Sequence, residues 1–167
     1  MKLTTKQLAR CAVLAALSLA LSYAEGMFPL PLPLPGFKLG LANIVTVFAL
    51  YALGAALSLA ILLTRVLLGA MFAGNASALI FSLLGGLAAL GVMTLLSRFG
   101  RLSVYGVSVG GAAAHNVGQT CAAMLTLGSS APLASLPVLL VVSLFTGALT
   151  GFIAALLLRA LRGAEIV

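Results

Sequence analysis

Apolar runs of about 18–22 residues follow one another along this chain, and its Lys and Arg residues gather at their ends; runs of that length can cross a hydrocarbon core of roughly 30 Å as helices. Inside lipid the backbone has to satisfy its own hydrogen bonds. An apolar run without strict alternation is therefore a helix rather than a barrel strand. Hydrophobic residues make up 63% of the 167, and no stretch reads as a soluble domain. The expected fold is all-α: one transmembrane domain over residues 1–167, a polytopic integral membrane bundle. Function should be sought in the few polar residues left inside it.

The runs divide into six transmembrane helices, at about 7–23, 39–53, 54–72, 76–97, 104–127 and 137–158. Only a tight Leu53-Gly54-Ala55 turn separates the second from the third, so one long kinked helix, with five spans in all, is the competing division. The other breaks carry turn chemistry: Pro29 to Gly36, Gly74-Asn75, Arg98 to Ser103 and Gly128 to Pro132. With six spans and the N-terminus inside, Lys2, Lys6, Arg10, Arg98, Arg101, Arg159 and Arg162 all face the cytoplasm. The two basic residues that break the positive-inside pattern are Lys38 and Arg65. Five spans would put the C-terminal arginines outside, so charge favours six, with both termini cytoplasmic. The net charge of +7 is then a topology signal. No basic segment interleaved with aromatics exists, so nucleic acid is not an expected partner. The first span resembles a cleavable leader; removing it would leave an odd number of spans, and it reads as a retained helix. Cys11 and Cys121 fall near opposite membrane faces, too far apart for a disulfide.

Asp is absent, and the only acidic residues are Glu25 and Glu165. That excludes much. There is no phosphate-cradling loop with its Lys and Ser/Thr, so the chain does not hydrolyse nucleotides by itself. Paired carboxylates for acid–base work are missing, as are Cys/His clusters for a metal. A proton relay needs membrane-embedded carboxylates, and only Glu25 lies near the bilayer. The expectation is a protein with no catalytic residues, metal or cofactor, which binds a small molecule and takes its energy from elsewhere.

Arg65 is the most informative polar residue. A third helix entering at Gly54 carries it roughly 16 Å up, near the midplane. A cation there costs about 2.5–3.5 kcal/mol on insertion scales, so it should face a partner or a cavity. Either it pairs with Glu25 or caps carbonyls and holds the bundle together, or it binds an anion in a pocket open to the outside. His115 comes to a similar depth on the fifth helix. It shares a face with Gln119 at i, i+4, with Asn116 about 100° away. These three are either interhelical glue or, converging with Arg65, a ligand site. Lys38 and Asn43 begin the second helix, just after prolines at 29, 31, 33 and 35, which favour an extended path. Non-helical backbone at membrane level is buried in protein or lines a cavity, so this segment reads as a stiff outer flap. Glu25, at the outer end of the first helix, is a salt-bridge candidate for Lys38 or Arg65. Ala12, Ala16, Ala20 and Ala24 form an i+4 row of small residues on the first helix. Such a row suits close helix approach, either within this chain or as a docking face for another membrane subunit.

The run Pro35-Gly36-Phe37-Lys38-Leu39-Gly40-Leu41-Ala42-Asn43-Ile44-Val45, with Thr46 and Tyr51 after it, resembles the signature of the "Gx transporter" proteins, often labelled heptaprenyl diphosphate synthase component I. The likeness continues through Thr64-Arg65-Val66-Leu67-Leu68-Gly69 and Ser82-Leu83-Leu84-Gly85-Gly86. It resumes at Gly106-Val107-Ser108 and Ala114-His115-Asn116-Val117-Gly118-Gln119. In size and helix count the family is similar to the substrate-binding S-components of energy-coupling factor transporters. The alanine row resembles the face by which S-components dock on the transmembrane T-component. The resemblance implies a bacterial cell-membrane transport component for a small anionic or vitamin-like molecule, energised by T-component and ATPase partners. The synthase label fits the chemistry poorly, because prenyl elongation needs Asp-rich motifs to hold magnesium. At most the chain would be a non-catalytic accessory of prenyl diphosphate or quinone synthesis. A third reading is an anchor for an extracytoplasmic redox assembly.

Overall fold

The computed structural model describes residues 4–27, 40–100 and 102–163. These residues form α1 (Thr5–Met27), α2 (Asn43–Leu53), α3 (Ala55–Ala73), α4 (Ala76–Arg98), α5 (Val104–Leu127) and α6 (Leu136–Gly163), with a single 3-10 turn over Ala131–Ser135. No strand occurs among them. The expected proline flap and Lys38 lie outside the described residues.

The reversal at Gly54 decides between the two divisions of the chain. Gly54 takes φ 86° and ψ 170°, a conformation that residues with a Cβ adopt rarely. Its N–H still reaches Leu50 O, and its carbonyl already receives Ser58 N–H, so one helix ends and the next begins on the same residue. On one continuous helix Asn43 and Arg65 would stand about 33 Å apart. Instead they line a common void. The chain has folded back, and the long kinked helix is excluded.

All six helices alternate in direction. Lys6 and Arg10 of α1 meet the C-terminal ends of α2 and α6 around one groove, while the start of α3 meets the C-terminal end of α4 at Arg98 around another. This is the basic end of the bundle. Four helical stretches are long and apolar enough to cross a membrane: α1, α3, α4, and α6 with its preceding turn. The other two depart from the simple picture. α5 has the length, but its Gly, Ser, His, Asn and Gln residues dilute its apolar character. α2 has only 11 residues, about 16 Å of helix, half of a hydrocarbon core. It starts four residues later than the expected span because Gly40, at φ 85°, precedes a tight turn in which Asn43 and Ile44 donate to Gly40 O and Leu41 O.

This half-length helix is the centre of the molecule. Every residue from Asn43 to Leu50 is buried. Val47 and Leu50 join Leu62, Val66, Leu90, Met93 and Val107 in the main apolar core, and Val45 and Ala49 pack with Ala15 and Ile61 in a second. α4 and α5 form the most extensive helix pair. Gly118 makes that possible, because a Cβ there would come 2.5 Å from Leu84 O and 2.9 Å from Gly85 Cα. α5 and α6 are tied by polar bonds in the interior: Asn116 Nδ2 donates to Leu139 O at 2.7 Å, and the Ser108 and Thr150 hydroxyls bond at 2.8 Å. α1 is peripheral. It packs on α2 and α3 and has no close approach to α4, α5 or α6 among the described residues. Its buried residues are Ala15, Ser18 and Glu25.

Candidate binding site

The N-terminal turn of α2 ends halfway along the bundle, and the polar side chains collect around it. Two amides of the turn that leads into it have a partner: Glu25 Oε1 accepts Gly40 N–H at 2.7 Å and Oε2 accepts Leu41 N–H at 3.1 Å. A carboxylate at a helix N-terminus satisfies donors that the helix itself cannot, and it lies at the positive end of the peptide dipoles. Glu25 thus joins α1 to α2 at the level where α2 stops. Gly40 has to be glycine here. Beyond its positive φ, a Cβ would lie 2.8 Å from Asn43 Nδ2 and 3.4 Å from His115 Cδ2.

Arg65 stands ten residues after the start of α3, so about 15 Å of rise brings it to the same depth. It is only 5% exposed. Nη1 donates to Ser22 Oγ on α1 at 2.8 Å, and Glu25 is close enough to act on its charge. Nε and Nη2 have no hydrogen-bond partner among the described residues. A buried guanidinium with two unpartnered nitrogens in so apolar a setting is an unfinished interaction.

Two spaces meet at this Arg. The first is a void of about 10 Å³ lined by Ser22, Glu25, Gly40, Ala42, Asn43, Arg65, Ser82, His115 and Gln119. It has room for about one water molecule. It brings together five of the residues singled out from the sequence: Glu25, Asn43, Arg65, His115 and Gln119. Asn43 Nδ2 has no partner in it among the described residues. α4 admits the cluster by lacking side chains where it passes. A Cβ at Gly85 would come within 3.0 Å of His115 and Gln119, and one at Gly86 would stand 3.4 Å from Arg65 Nη2 and 2.6 Å from Leu62 Cδ1. The second space is a cleft of about 280 Å³ between α1, α3 and α4, running from Arg65 to the end away from the basic one. Its walls are Leu19, Tyr23, Met27, Val66, Gly69, Phe72, Ala73 and Ala78, and Ser22 and Ser82 border both spaces.

Asn116 is not part of this cluster. Its amide is committed to Leu139 O on α6. Lys38 lies outside the described residues. The alanine row faces away from the bundle: Ala12, Ala16, Ala20 and Ala24 are all exposed, so it is not packed against the described residues. Ser22, Ser82 and Gly85 were not singled out as site residues from the sequence. Gly85 carried a signal, as half of a Gly-Gly pair in the middle of an apolar helix, whereas the two serines have nothing to distinguish them from other serines in the chain.

Gly40, Asn43, Arg65, Ser82, Gly85, His115 and Gln119 fall in the segments that carry the family likeness. The model of one protein family, described as Heptaprenyl diphosphate synthase component I, matches residues 14–157. The chain belongs to this family. No curated protein and no solved structure matches it significantly. Membership and apolar helices together make the chain a membrane protein of the Gx family.

Proposed function

We propose that the chain is a non-catalytic, substrate-binding transport component of the cell membrane. In this reading all six helices belong to the membrane-spanning bundle, with both termini in the cytoplasm and the far cleft facing outward. The substrate is a small anionic or cofactor-like molecule held at Arg65. The observation that carries the reading is the buried guanidinium whose Nε and Nη2 have no partner among the described residues, placed where a small polar void and a larger cleft meet. A purely structural Arg would have its donors satisfied, because burying an unpaired polar group costs about 1–3 kcal/mol. α2 adds support: half-length helices whose N-termini end at mid-membrane are how many transporters address anionic groups. Energy has to come from separate subunits. The exposed alanine row on α1 offers a face on which a T-component, itself coupled to an ATPase, could pack closely.

The family's printed name favours a second reading, an accessory of prenyl diphosphate synthesis. Co-purification separates the two: membrane and ATPase subunits for transport, a soluble prenyl synthase for the accessory. The direct test is native mass spectrometry of gently purified protein. A small molecule retained by the wild type and lost from a folded Arg65→Met variant is the expected result. Retention unchanged in that variant would remove Arg65 from the site and this reading with it.

A further inference from the structure

We propose that the groove between α3 and α4 at the basic end of the bundle holds one anionic glycerophospholipid, with an acyl chain lying along α4 and the phosphate at Arg98. The site is separate from Arg65 and independent of what Arg65 binds.

Small residues make the groove. α3 and α4 run antiparallel from the Gly74-Asn75 turn, and at their open end they leave a space of about 390 Å³. Ala55 and Leu59 line it from α3, and one face of α4 lines it from Leu87 to Arg98. Gly91 deepens it, because a Cβ there would meet no atom within 4 Å. Leu90 is its floor, 5% exposed and packed into the main core. Leu59, Leu87 and Leu95 stand exposed at its edges.

Length and chemistry then select the occupant. From Leu87 to Arg98 α4 rises about 16 Å, half of a hydrocarbon core of roughly 30 Å and so the depth of one leaflet. Apart from Arg98, the one polar side chain among the described residues of the walls is Thr94, four positions before Arg98 on the same face. The polar groups thus lie in the last turn of α4, and everything inward of them is apolar. That is the division of a phospholipid into head and tail. The chain is a membrane protein, so acyl chains are what this groove meets. A tail inside it touches two helices, and gains more contact than a tail against one exposed helix.

Arg98 selects the head group. It is exposed, and no hydrogen bond or ion pair engages it among the described residues. A long side chain of this kind carries its charge to headgroup level, where a guanidinium pairs with phosphate oxygens. Ala55, at the same mouth, opens α3, whose positive end offsets the negative end of α4. The surroundings do not neutralise Arg98. The chain has two acidic side chains, Glu25 and Glu165, and Glu25 is tied to Gly40 and Leu41 halfway along the bundle. One remaining carboxylate cannot match Lys6, Arg10, Arg98 and Arg159 together. Basic pockets between helices at a membrane surface favour anionic head groups.

The test uses full-length protein in detergent, with phosphatidylglycerol and phosphatidylcholine of identical dioleoyl tails supplied in equal amounts. Native mass spectrometry counts the lipids retained. Wild-type protein should keep one phosphatidylglycerol, favoured roughly fivefold over phosphatidylcholine, the factor that one basic residue contributes at an anionic surface. Arg98→Gln, at an exposed position, should fold and lose that preference. Arg159→Gln makes the same change of net charge on α6 and should keep it. Gly91→Phe fills the groove and should shed both lipids at an unchanged Tm. Dihexanoyl phosphatidylglycerol tests the tail without any variant: with the same head, it should be retained less than the dioleoyl lipid. Equal retention of the two dioleoyl lipids by the wild type would mean an annular lipid only and overturn the site. A preference lost as fully in Arg159→Gln as in Arg98→Gln would reduce the effect to net charge, and overturn it too. Undiminished retention in a folded Gly91→Phe protein, or of the short-tailed lipid, would overturn the groove as the place of the tail.

Discussion

At Gly40, Gly85 and Gly86 the missing side chain is what builds the site. Gly40 carries φ 85°, and its Cβ would press on Asn43 Nδ2. Gly40→Ala should therefore cost about 1–3 kcal/mol through strain and displacement, seen as a lowered Tm of the purified protein; an unchanged Tm would show that the turn relaxes freely. Asn116 is a contrasting case. Its bond to Leu139 O makes it a tie between α5 and α6, so Asn116→Ala should lower stability by about 1 kcal/mol and leave ligand retention intact. Loss of ligand from a stable Asn116→Ala protein would mean that its amide reaches the site. Arg65, His115, Gln119, Asn43 and Glu25 were legible in the sequence because a polar group at membrane depth needs a reason to be there. The role of Asn116 was not, since which neighbour lies 100° around α5 depends on how the helices are arranged. That arrangement follows from contacts such as Gly118 against Leu84, which join positions far apart in sequence.

Among the elements, α5 matches its expected limits, and α3 and α4 come within a residue of theirs. Apolar length and turn residues are local signals, and Asn75 caps α4 through bonds to Ser77 and Ala78 N–H. α2 differs because its apolar run continues through Leu39 and Leu41, so hydropathy alone extends the helix over the Gly40 turn. The end of α2 is instead set by a side chain fifteen residues earlier, Glu25. Glu25→Gln keeps the shape but replaces one acceptor oxygen with a donor facing an amide. It should lower Tm by several degrees and loosen α1, read as faster hydrogen exchange at Gly40 and Leu41; unchanged exchange there would remove the tie. The alanine row on α1 was legible as a stripe of small residues, but not that it faces away from the bundle. Its exposure predicts that Ala16→Leu leaves the isolated protein as stable as the wild type and abolishes association with a membrane partner. An isolated Ala16→Leu protein that unfolds would show that the row is needed internally.

For the molecule as a whole, alternation of six helices collects Lys6, Arg10, Arg98 and Arg159 at one end, as the charge pattern required of an even number of segments. In a background lacking Cys11 and Cys121, Phe99→Cys should be labelled from the cytoplasmic side of intact cells and Ser129→Cys from the opposite side. Labelling of position 99 from outside would invert the orientation and turn the cleft toward the cytoplasm. The same arrangement leaves α1 leaning on α2 and α3 with a space on either flank: the cleft at Arg65, and the groove of about 340 Å³ at Lys6 and Arg10. One helix is thus a wall of two openings at opposite ends, held between them near its middle. Because the openings lie on opposite flanks, a rigid rod pivoting there in the plane of both widens or narrows the two together.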